Sequence, residues 1–80
     1  MDADALNEIA LQRWETERRY YLAWVQEDLF GELELVQVWG GKGTRLGSVR
    51  RRPIAATAQG RAALERIARV RMRRGYCLVQ

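Results

Sequence analysis

Four glycines fall within eleven residues, Val38-Trp39-Gly40-Gly41-Lys42-Gly43-Thr44-Arg45-Leu46-Gly47-Ser48, and no other stretch restricts the backbone as much. Glycine tolerates positive φ and lets the main chain come close to another surface, so this density predicts a special tight turn. Lys42 and Arg45 sit inside that turn, which makes it a candidate docking loop for an anion. The segments that enter and leave it must then be short and regular.

Both flanks read as strands. Arg19 to Asp28 is the clearest, because Tyr21, Ala23 and Val25 recur at period two with Tyr20, Leu22 and Trp24 on the other side. With both faces apolar, this strand is expected to be central and covered at least in part on each side. Asp28-Leu29-Phe30-Gly31 supplies a carboxylate and a glycine for a tight connection. A third strand runs from Leu33 to Trp39. Residues Glu8 to Glu15 alternate, with Ile9 and Leu11 on one side and Gln12 and Trp14 on the other, and predict a first strand. Trp14 is left open between core and surface.

After the glycine turn, Gly47 to Ala56 reads as a fourth strand, with Pro53 marking an edge, a bulge or its end. Thr57 as N-cap and Gly75 as C′ residue bound a helix from about Ala58 to Arg74. Its apolar stripe is Ala63, Leu64, Ile67 and Val70, while Glu65 stands four residues from both Arg61 and Arg69. Tyr76 to Val79 predicts a short last strand or docked tail. The expected fold is therefore α+β, a small antiparallel sheet of about four to five strands with one C-terminal helix packed on it. Eighty residues allow one domain, placed at residues 8–80, with residues 1–7 as a flexible polar terminus.

Trp39-Gly40, followed by Gly43-Thr44 and Gly47-Ser48, resembles the signature of the WGR domain, a module of DNA-dependent poly(ADP-ribose) polymerases and of many bacterial proteins. Tyr20 to Asp28 is similar to that family's second strand, Leu33 to Trp39 to its third, and Thr57 to Tyr76 to its helix and exit. The resemblance thus covers most of the chain. It implies DNA binding, with Trp39 packing at a DNA end as the matching tryptophan does in the polymerases. One departure matters. Gly41 stands where the family tripeptide has arginine, and the link to a catalytic region that this arginine serves is not carried over.

Charge supports the same reading independently. Residues 1–40 hold nine carboxylates and three arginines, whereas residues 41–80 hold eleven cations and one carboxylate. Such asymmetry points to nucleic acid or another acidic surface, unless acidic and basic strands neutralise one another across the sheet. Lys42, Arg45, Arg50, Arg51 and Arg52 fall within eleven residues without a carboxylate, an electrostatic footprint for phosphates. The candidate nucleic-acid-binding residues are therefore Trp39, Gly40, Lys42, Arg45, Arg50, Arg51 and Arg52. Double-stranded DNA is the expected partner, and Trp39 is weighed equally between a stacking platform and a core residue.

The inventory disfavours other chemistry. There is no histidine, and the single cysteine, Cys77, has no partner for a disulfide or a metal site. No hydroxyl residue stands in a nucleophile-and-base pattern, and the spacing of Gly40-Gly41-Lys42-Gly43-Thr44 is not that of a P-loop. A non-enzymatic module without catalytic residues, cofactor, metal or small-molecule substrate is expected. No apolar run approaches the ~20 residues of a membrane helix, so the expected location is the cytoplasm, away from the membrane. The alternative reading is a protein interaction or regulatory module, including a homodimer, in which the acidic half receives a basic one.

Overall fold

The computed structural model describes residues 9–80, so the expectation for residues 1–7 lies outside the described residues. Strands β1 (Ile9–Glu15), β2 (Arg19–Glu27), β3 (Leu33–Gly41) and β4 (Gly47–Pro53) are followed by helix α1 (Thr57–Arg73) and strand β5 (Cys77–Leu78). The five strands form one antiparallel sheet in the order β4-β3-β2-β1-β5. This is the α+β arrangement the alternation and the helical stripe imply.

Helix α1 covers one face of the sheet. The core joins Trp14, Tyr21, Ala23, Val25 and Leu35 from the strands to Ala63 and Leu64 from the helix. Ile67 closes its margin, and Gly60 lies so tight on the sheet that a Cβ there would meet Val25 Cγ2 at 2.7 Å and Ile54 Cδ1 at 2.8 Å. Trp14 belongs to the core because of a bulge: Ile9 pairs with Val25 and Gln12 with Ala23, so β1 uses one more residue than β2 over that span. The extra residue, around Ala10 at φ 56°, turns Gln12 and Trp14 toward the helix. Trp14 Nε1 then donates to Gln12 Oε1 at 3.0 Å.

The expectation that β2 is central and covered at least in part on each side agrees with its burial, which differs between the two faces. On the face away from the helix Tyr20, Leu22 and Trp24 are half-buried, and Val36, which pairs with Trp24 there, is 1% exposed. A polar ladder crosses this outer face. Trp24 Nε1 donates to Gln26 Oε1 (2.7 Å), Gln26 Nε2 donates to Glu34 Oε1 (2.8 Å), and Arg51 Nη1 stands 3.8 Å from the same oxygen.

The helix ends differ from each other. Its N-cap is Ala56, without a side-chain hydrogen bond, because Thr57 is already the first helical residue; Thr57 is therefore not the cap. At the other end Gly75 takes φ 84°, Gly75 N donates to Met72 O (3.1 Å) and Tyr76 N to Arg71 O (3.0 Å). These bonds make a Schellman motif, which reverses the chain and sets Tyr76 back against Arg71. Glu65 forms no ion pair with Arg61 or Arg69, in keeping with the low value of exposed helix pairs.

Candidate nucleic-acid interface

Strand register decides where each predicted residue points. Gln37 pairs with Arg50, Leu35 with Arg52 and Trp39 with Ser48, so Trp39, Arg50 and Arg52 share the helix-covered face. Val36 pairs with Arg51, which puts Arg51 on the outer face beside Glu34. The arginine triplet is thus divided between two surfaces.

Trp39 lies at the rim of the core, 36% exposed, stacked on Tyr21 with ring centroids 6.0 Å apart and planes 17° from parallel. Tyr21 in turn meets Tyr76 edge-on at 6.5 Å. The Arg71 guanidinium sits over both tyrosines, 4.2 Å from the Tyr21 centroid and 4.8 Å from that of Tyr76. Its charge is favoured by the negative faces of the rings. Arg71 Nε is buried without a hydrogen-bond partner.

These groups line an open hollow of about 730 Å³ together with Arg18, Arg19 and Arg74, and among the described residues Glu17 is its single carboxylate. A second groove of about 360 Å³ continues along the helix flank past Gln37, Arg52 and Arg66, sharing Tyr21 and Arg71 with the first. Gln37 Nε2 donates to the Tyr21 hydroxyl, and Gln37 Oε1 is buried without a partner. The arrangement offers flat rings and guanidinium groups side by side, which suits sugar-phosphate backbone and exposed base or ribose surfaces.

The glycine turn is organised differently from its sequence reading. Of its glycines only Gly43 has positive φ, at 76°. Gly40 pairs with both Tyr20 and Gly47 on the outer face, and a Cβ at Gly40 would lie 2.8 Å from the Tyr20 hydroxyl oxygen and 2.9 Å from Leu46 O. Gly40 therefore makes room for a ring of its own chain and faces away from Trp39. Lys42 is engaged as well: Nζ lies 2.6 Å from Glu15 Oε1, while Arg13 Nε holds the other oxygen at 2.9 Å. The hydrogen bond from Lys42, followed by that from Arg13, keeps the Glu15 carboxyl below its ordinary value. Arg45, exposed at the turn, forms no ion pair with any described residue.

Sequence reasoning missed Arg18, Arg19, Arg66, Arg71, Arg74, Tyr21 and Tyr76 as members of this surface. Arg71 and Arg74 also suit the negative end of the helix dipole, so their presence in the sequence needs no ligand to explain it. The signal was the Gly75-Tyr76 pair behind them, since a helix reversed at glycine returns the next side chain toward the last turn. Among the described residues no group of three His, Cys, Asp or Glu side chains is placed to hold a metal, and no helix is long and apolar enough to cross a membrane. Compared with known proteins, the chain matches no family model, no curated protein and no solved structure.

Proposed function

We propose that this chain is a non-enzymatic nucleic-acid-binding module that holds double-stranded DNA, along its backbone or at an end, against Trp39 and the arginines beside it. The observation that carries the reading is the convergence of Trp39 with Arg71 and Arg74 in one hollow and of Arg52 with Arg71 in the groove that continues it, on the sheet face that Arg50 shares. The WGR-like Trp39-Gly40 stretch agrees with it, and so does the lining of the hollow, in which Glu17 is the single carboxylate among the described residues. Arginine forks suit phosphate oxygens, and the half-exposed indole offers a flat surface to a terminal sugar or base.

The test is fluorescence anisotropy of labelled blunt, nicked and single-stranded DNA at two salt concentrations. Binding should weaken with salt by about 0.9 logarithmic units per phosphate contact for each tenfold rise. Trp39→Ala should cost roughly tenfold in affinity at an end, the scale of one lost stacking contact. Absence of binding at low salt would rule the reading out.

A further inference from the structure

The turn between β2 and β3 fixes two apolar side chains in solvent. Asp28 Oδ1 accepts hydrogen bonds from the backbone N–H of Phe30 (2.8 Å) and of Glu32 (3.0 Å), while Asp28 N donates to Glu32 O at 2.8 Å. Gly31 takes φ 78° and donates its N–H to Asp28 O at 3.1 Å. Asp28 and Gly31 thus answer the demands of the turn. Leu29 and Phe30 answer none of them, yet they are 99% and 88% exposed.

A scattered apolar residue on a surface is ordinary, but an adjacent Leu-Phe pair on a tip with fixed backbone is a preorganised anchor. Burying it costs little further ordering. Its neighbours Glu27, Asp28 and Glu32 are carboxylates, and Glu34 lines the hollow beside it, where Arg51 is the single cation. That ring repels phosphate, which excludes nucleic acid and anionic lipid as occupants. An apolar pocket rimmed by cations is its complement.

Such a pocket is present on this same chain. The 360 Å³ groove is lined by the apolar groups of Tyr21, Ile67 and Val70 and by the cations Arg52, Arg66 and Arg71. The tip and the groove share no residue. We infer that the chain self-associates by inserting Phe30 of one copy into the Arg52–Arg66–Arg71 groove of another, with Glu27 and Glu32 set against those arginines. Because two different patches meet, the contact either closes reciprocally into a pair or extends head to tail. Nucleic acid and a second copy compete for the same arginines.

The experiment is sedimentation velocity on the full chain without nucleic acid, from about 1 μM to about 1 mM at low salt, where weak contacts are populated. The mass should rise above 9.3 kDa with concentration. Phe30→Glu should shift the association midpoint at least about tenfold, as loss of an anchor does. Glu32→Lys and Arg66→Glu should each weaken association alone, and an equimolar mixture of the two should restore it, because the reversed tip then meets a reversed groove. All three positions are exposed, so the fold is expected to survive, with circular dichroism as the check. A wild-type chain that stays at 9.3 kDa throughout, a Phe30→Glu variant that associates as the wild type does, or a mixture no better than its components would overturn the inference. The result is independent of whether DNA binds.

Discussion

The two faces of the sheet take neighbouring residues of the same chain to different ends. On the helix side, Trp39 lines one hollow and Arg52 the groove that continues it, both rich in guanidinium, and Arg50 shares their face of the sheet. On the outer side, Arg51 meets Glu34, Lys42 meets Glu15, and Gly40 is filled by Tyr20. Positive residues adjacent in sequence are thus either available to a ligand or already engaged, and strand parity decides which. A basic run in a strand is half as large an interface as its length suggests.

The largest expected effect breaks this comparison directly. Replacing Arg50 and Arg52 together by glutamate should lower duplex affinity about a hundredfold at low salt, since two phosphate contacts become repulsions, whereas Arg51→Glu should change it by less than about threefold. Equal losses in the anisotropy titration would mean that the faces do not differ.

A smaller effect belongs to Gly40. If its space serves Tyr20, Gly40→Ala should destabilise the fold by about 1 to 3 kcal/mol through overpacking against the Tyr20 hydroxyl and the Leu46 carbonyl, while the folded variant keeps its DNA affinity. Urea denaturation paired with a binding titration separates the two. A stable variant that no longer binds would instead place Gly40 in the interface.

The smallest effect concerns Glu15. Its folded-state carboxyl titrates below the ordinary value of 4.5, so its pairing contributes stability that is fully present above that value and is lost as pH falls through the lower folded-state value. Unfolding midpoints of the wild type and Glu15→Gln should therefore converge as pH drops below 4.5, and a constant gap down to strong acid would contradict the pairing. Being solvent-screened, the contribution should be slight.

Most of the fold was legible because its signals are local. Period-two alternation marks β2, the Asp28-to-Gly31 turn marks the hairpin, and Gly75 marks the end of α1. Trp14 was harder, because one bulge residue near Ala10 reverses the side to which its strand points, and a bulge leaves no compositional trace. The site was legible only in part for a related reason. Trp39 and the arginine run stand out by composition, but the division of Arg50 and Arg52 from Arg51 depends on register, and the recruitment of Arg71 depends on a helix returning across the sheet. Tyr20 explains Gly40 only across a strand pair twenty positions apart in sequence numbering.

The three tryptophans sample three environments: Trp14 in the core, Trp24 on the outer face and Trp39 at the hollow. Their indole N–H signals in a ¹⁵N-labelled sample, followed while short duplex DNA is added, test the central claim most directly. The account predicts that the Trp39 signal moves with the titration, together with the side-chain signals of Arg71, while the Trp24 signal stays in place. Movement of Trp24 with a stationary Trp39 would put the interface on the wrong face and contradict the account.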